Sequence, residues 1–133
     1  MRATVWFDGA CPGNPGPMGA GAVVEIEGKG RKELSRFFGV GTNNKAEYHA
    51  ALLGILHALA EGADELTLRG DSQLILRQLE GTNKVSSEQL LPLWTEATAS
   101  LKRFKAVRFE WVPRAENTAA DRLANRALAD RRS

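Results

Sequence analysis

The chain of 133 residues is 43% apolar and 26% charged, an ordinary globular composition that leads us to expect one core. Eighteen Lys and Arg against 16 Asp and Glu leave a formal charge of +2, so bulk charge attracts a polyanion only weakly and any nucleic-acid binding must rest on local chemistry. The lone Cys11 excludes an internal disulfide, and with no signal-like or long apolar run the expectation is a soluble cytoplasmic protein with no membrane partner.

Ala3 to Phe7 is β-branched and aromatic and stops at Asp8-Gly9, which predicts a strand ending on a carboxylate. A Gly- and Pro-rich loop follows from Ala10 to Gly19. Ala20 to Glu27 and Lys32 to Phe38 read as two further strands joined across Gly28-Lys29-Gly30, completing an antiparallel meander. From Asn43 to Glu61 the spacing turns helical, with Leu52, Leu56 and Leu59 on one side and the small residues Ala50, Ala51, Gly54 and Ala58 on another. Small residues let a helix lie close to a sheet. Glu47 shares their stripe, so its carboxylate is expected to face the sheet edge.

Glu65 to Arg69 predicts a fourth strand ending at Gly70-Asp71, and Ser72 to Glu80 a second helix stopped by Gly81. Ser86-Ser87-Glu88-Gln89 has capping-box spacing and predicts a third helix to about Arg103, with Pro92 near its start. Val107 to Val112 reads as a fifth strand, and Thr118 opens a last helix through Ala129. Hairpins followed by crossover connections give an α/β architecture in which helices flank a mixed five-stranded sheet, three strands antiparallel and two parallel. Residues 1–130 are expected to form a single domain, with 131–133 a short basic tail.

Asp8, Glu47 and Asp71 fall at strand ends or on the first helical turn beyond, where open α/β sheets place their ligand crevices. Asp121, on the first turn of the last helix, completes a candidate set of four. Clustered carboxylates repel one another, and hard divalent cations with oxygen ligands relieve that repulsion, so magnesium or manganese is implied and zinc is not. Two such ions roughly 3.5–4 Å apart are suited to phosphodiester hydrolysis. Each acid has a plainer alternative: a helix cap paired with Thr118 for Asp121, a solvated helix charge for Glu47, turn residues for Asp8 and Asp71.

Asp8-Gly9-Ala10-Cys11-Pro12-Gly13-Asn14-Pro15-Gly16, Thr42-Asn43-Asn44-Lys45-Ala46-Glu47, Asp71-Ser72-Gln73, and Trp111-Val112-Pro113 with Asn117 and Asp121-Arg122-Leu123-Ala124 together resemble the type 1 ribonuclease H family. The resemblance runs in order over nearly the whole chain. It implies the ribonuclease H-like fold and an endonuclease that hydrolyses the RNA strand of RNA–DNA hybrids, leaving 5′-phosphate and 3′-hydroxyl ends. It also implies two bound Mg2+ ions, with Mn2+ as a substitute, held by Asp8, Glu47, Asp71 and Asp121 as metal and catalytic residues.

Carried over by the same motifs, the implied substrate contacts are Gly9, Cys11, Gly13, Asn14, Thr42, Asn43, Asn44, Ser72, Gln73, Arg114 and Asn117. Asn14, Asn44 and Gln73 both donate and accept, as a 2′-hydroxyl does. Thr42 and Asn43 precede a helix N-terminus suited to a phosphate of the DNA strand.

Two departures from the family pattern stand out. Many members carry a histidine in a mobile loop before the last helix; here that stretch is Pro113-Arg114-Ala115-Glu116, as in histidine-free, archaeal-like members, and Arg114 is suited to hold a phosphate but not to exchange a proton. Many also carry a basic, Trp-containing handle, whereas this chain has only Gly81 to Ser87 with one lysine, Lys84. Hybrid binding is therefore expected to be weaker and more salt-sensitive than in relatives with the handle, resting on Lys84, Arg77 and Lys45. Side activity on double-stranded RNA is a further expectation, and a catalytically silent hybrid-binding module is the alternative. His49, about 200° around the helix from Glu47, and His57 read as surface or partly packed residues. Trp6 and Trp111 read as core, Trp94 as core or stacking platform, and the chain as a monomer.

Overall fold

A computed structural model describes residues 1–131. Its elements run β1 (Arg2–Ala10), β2 (Gly16–Ile26), β3 (Gly30–Gly41), α1 (Asn43–Ala60), β4 (Glu65–Gly70), α2 (Gln73–Glu80), α3 (Leu91–Leu101), β5 (Ala106–Trp111) and α4 (Thr118–Ala129), with a single 3-10 turn at Arg114–Glu116. The sheet order is β3-β2-β1-β4-β5: β1, β2 and β3 pair antiparallel, while β4 and β5 extend β1 in parallel. This is the mixed five-stranded sheet expected from the order of hairpins and crossovers.

Helix α1 lies against β1 and β2 on its small-residue stripe, with Ala50, Ala51, Gly54 and Ala58 all buried. A Cβ at Gly54 would strike the Val5 side chain, so the stripe sets the approach distance. Of the leucines, Leu52 is buried, whereas Leu56 is exposed, because α3 covers only part of that side. Tyr48 donates its hydroxyl to Gln78 Oε1 at 2.7 Å, and the Trp94 indole N–H donates to the Gln78 carbonyl at 2.9 Å. One buried glutamine thus ties α1, α2 and α3 together, and Trp94 is a packing residue. On the other face, α4 seats on Gly19 and Gly21 of β2, where any side chain would collide with the helix backbone at Ala124 and Ala120. Ser35 fastens it further by donating to the Leu123 carbonyl at 2.7 Å.

Several boundaries differ from the sequence reading. Strand β1 does not stop at Asp8 but continues to Ala10, because Asp8, Gly9 and Ala10 still pair with Gly21, Ala20 and Gly19 of β2. The loop expected up to Gly19 is correspondingly shorter, and β3 runs on to Gly41. Helix α3 starts at Leu91, not at the Ser86 capping box: the Ser87 carbonyl accepts from Leu90 and Leu91 N–H in a preceding turn, and Pro92 occupies the first helical turn. Thr118 does not cap α4; Asn117 holds the cap position without a side-chain cap bond. Of the expected basic tail, Arg132 and Ser133 lie outside the described residues, and Arg131 donates to the Leu128 carbonyl at 3.1 Å. No helix of the described residues is long and apolar enough to cross a membrane.

Candidate active site

The site forms where the sheet divides. Pairing between β1 and β4 ends at Phe7 with Gly70, while β1 runs on beside β2, so the chain after Gly70 is free to turn away into Asp71. Asp8 projects at the division and Asp71 stands across from it. Glu47 reaches the same place from the first turns of α1, because a glycine at position 9 lets the helix backbone come close. A Cβ there would collide with Ala46 and Glu47, and Gly9 N–H instead donates to the Glu47 carboxylate.

Asp8, Glu47 and Asp71 each offer a carboxylate oxygen within 4.8 Å of the others. Asp8 is only 6% exposed and Glu47 8%. Burial first, then repulsion from Glu47 and Asp71, pushes the Asp8 carboxyl up to about 10. Burial also pushes Glu47 up, to about 7, against the opposing pull of the Gly9 N–H and of Asp8. Asp121 adds to the upward push on Asp8 but stands outside the group of three whose carboxylate oxygens converge; its Oδ1 accepts from Asn125 Nδ2 at 3.3 Å, and it does not take the capping role that its tetrapeptide suggested.

Buried carboxylates that must take up protons to coexist fit a hard divalent cation well: every donor is oxygen, and the cation would replace the proton. Two neighbours orient the ligands. Asn117, 2% exposed, donates from Nδ2 to the Phe7 carbonyl at 2.9 Å and to Asp71 Oδ2 at 3.2 Å, bridging the division in the sheet. Its Oδ1 has no partner among the described residues. The Trp111 indole N–H donates to the main-chain oxygen of Asp71 at 3.1 Å.

A cleft of about 490 Å³ opens onto the cluster, lined by Asp8, Gly9, Asn43, Glu47, Asp71, Ser72, Trp111 and Arg114. Asn14 Oδ1 accepts from Asn43 N–H at 3.0 Å, which brings the β1–β2 loop to the start of α1. Asn44, Gln73, Gly13 and Arg114 are exposed near these turns, while Thr42 and Ser72 spend their hydroxyls capping α1 and α2 at 3.2 and 3.3 Å. Cys11 is buried, its thiol directed at the Gly41 and Gly16 carbonyls, so only its backbone is offered to a ligand. His49 points away and stacks on Phe38 with ring centroids 4.2 Å apart. Trp6 is half-buried under the Arg69 guanidinium, 5.1 Å from its ring.

Trp111 corrects the sequence reading. It is 50% exposed, not core. Val107 and Phe109 share its strand parity and pack on the core, but Trp111 continues their row past the end of the core, beside the point where β4 gives way to Asp71. The available signal was its place as the last residue of a strand whose neighbour ends in a site carboxylate.

Residues 6–127 match the family model described as reverse transcriptase-like. The crystal structure of RNase H1 from the halophilic archaeon Halobacterium salinarum superposes with a TM-score of 0.91 at 40% identity, covering 98% of this chain and 99% of that one. The chain belongs to the type 1 ribonuclease H family. LC11-RNase H1, solved in complex with an RNA/DNA hybrid, gives a TM-score of 0.88 at 33% identity over 98% of this ribonuclease H chain and 99% of its own. Among curated relatives, the bifunctional protein Rv2228c of Mycobacterium tuberculosis is 42% identical over 130 residues. That match covers 96% of this chain but 36% of the relative, so the ribonuclease H chain spans about a third of that protein's length.

Proposed function

We propose that this chain is an endonuclease that hydrolyses the RNA strand of RNA–DNA hybrids and leaves 5′-phosphate and 3′-hydroxyl ends. The observation that carries the reading is the convergence of Asp8, Glu47 and Asp71 in a cleft open to solvent. Two Mg2+ ions, or Mn2+ in their place, held by these three carboxylates and Asp121 would supply an activated water and charge stabilisation for the leaving oxygen.

The chain's own groups do the rest. Gly9 N–H and Asn117 Nδ2 fix Glu47 and Asp71, so the carboxylates are oriented before substrate arrives. Arg114 at the cleft rim brings the one cationic side chain among the lining residues, suited to a backbone phosphate. Asn14, Asn44 and Gln73 serve the minor groove, where a 2′-hydroxyl distinguishes RNA from DNA. The hybrid in the LC11-RNase H1 complex supports the same class of partner for this chain. Residues 1–130 act as one cytoplasmic catalytic unit, monomeric, with 131–133 a basic tail.

The deciding experiment is cleavage of a labelled hybrid in Mg2+ or Mn2+ by the native chain and Asp71→Asn, beside single-stranded RNA, DNA duplex and RNA duplex. Cleavage of hybrid that Asp71→Asn abolishes supports the reading, and cleavage of RNA duplex as well would extend it to that side activity. Hybrid bound but never cut in either metal overturns it in favour of a silent binding module.

A further inference from the structure

Trp111 is the one aromatic side chain lining the acid-lined cleft, and half of its surface meets water. Exposed indole is costly, and this one is held open: its N–H is committed to the Asp71 main-chain oxygen at 3.1 Å, so the ring has little freedom to fold back onto the protein. Beside it in the sheet is Gly70, where the Phe7 ring fills the space of a side chain, so the core offers the indole no berth. The acids Asp8, Glu47 and Asp71 in the cleft repel a phosphate chain where no cation is bound. Of the lining residues, Arg114 carries the one cation and Trp111 the one apolar ring.

We propose that Trp111 is a substrate-contacting residue whose indole face packs on the sugar of the nucleotide flanking the scissile phosphate, while Arg114 takes an adjoining phosphate. This rests on the hydrolase reading above. The sugar is the partner because base faces in a duplex are already stacked on one another, and the C–H face of the sugar is the apolar surface that a strand still presents to a flat ring. Such a contact is sequence-tolerant, as befits an enzyme acting along any hybrid.

The test compares wild type, Trp111→Phe and Trp111→Leu in hybrid cleavage, in metal-free hybrid binding by anisotropy of the labelled duplex, and in thermal melting. Trp111→Phe keeps a flat ring and loses the N–H; Trp111→Leu loses both. The expected result is that Trp111→Leu raises Kd and KM about tenfold while Trp111→Phe binds within about threefold of wild type, the two variants sharing whatever loss of kcat follows from the missing N–H to Asp71. Tryptophan emission of the wild type should drop on adding hybrid, and that drop should vanish in Trp111→Phe. Equal damage in both variants, confined to kcat with Kd unchanged, would reduce Trp111 to a prop for Asp71 and overturn the proposal. An emission drop that survives in Trp111→Phe would also overturn it, even if Trp111→Leu failed to fold. A wild type that binds hybrid without cutting it would refute the hydrolase reading alone, since binding and emission still report on the contact.

Discussion

Asn117 and Asp71, 46 residues apart in sequence, meet where the sheet divides: one carboxamide nitrogen bonds the Asp71 carboxylate and the Phe7 carbonyl together. Because that group is buried, its loss leaves the Phe7 oxygen unsatisfied and Asp71 free to swing. Asn117→Ala should lower stability by about 2 kcal/mol in urea unfolding and cut hybrid cleavage at least tenfold. Asn117→Asp, isosteric but unable to donate when ionised, should lose more than the alanine variant at pH 8, since it sets a carboxylate against two acceptors.

The acid cluster makes the metal-free protein sensitive to pH in a fixed direction. Asp8 and Glu47 both have folded-state pKa values above those of the unfolded chain, so their favourable contribution is complete below about pH 4 and is lost as pH rises. Metal-free wild type should therefore melt at progressively lower temperature from pH 4 through pH 7 and on toward 10. Asp8→Asn should flatten that slope and melt several degrees higher at pH 8, roughly 1–2 kcal/mol of added stability, while abolishing turnover. Mg2+ should raise the wild-type melting temperature more at pH 8 than at pH 5. Calorimetric melts across that range, with and without EDTA, check all three.

Gly9 is predicted to be irreplaceable for a steric reason. Gly9→Ala places a methyl group inside the backbone of Ala46 and Glu47, so α1 must retreat. We expect a loss of about 3 kcal/mol or more and no detectable cleavage, read by melting and by the hybrid assay. A Gly9→Ala protein with native stability and activity would mean that the helix does not sit against β1 as described.

Arg77 and Lys84, exposed on α2 and in the connection to α3, are two of the cations on which hybrid binding is expected to rest in a chain without a basic handle. Arg77→Ala and Lys84→Ala should each weaken hybrid binding uniformly across sequences and reduce the slope of log K against log salt by about 1. Binding titrations at three or more salt concentrations measure this directly.

Much of this was legible from residues alone, because the informative signals were local. Each of Asp8, Glu47 and Asp71 follows a recognisable strand or opens a recognisable helix, and the small-residue stripe on α1 oriented Glu47 correctly. What escaped depended on contacts that those signals do not report. The Ser86 box satisfies the rule for a helix start, yet buried Val85 and Leu90 anchor the segment as a turn before Leu91. Thr118 to Asp121 likewise satisfies that rule, but no side-chain bond caps α4 and the Asp121 carboxylate accepts from Asn125 instead. Trp111 was misread because strand alternation tells which face a residue takes, not where along that face the core runs out.

The seating of α4 on Gly19 and Gly21 sets an order in time. Asp121 arrives only with the last helix, and Asn117, which steadies Asp71, immediately precedes it. A chain still leaving the ribosome has Asp8, Glu47 and Asp71 in sequence well before β5, Asn117 and α4 follow. On the nuclease reading proposed above, a chain that stops short of α4 would lack both Asp121 and the Asn117 that steadies Asp71, and would be an inactive protein, not an unregulated nuclease.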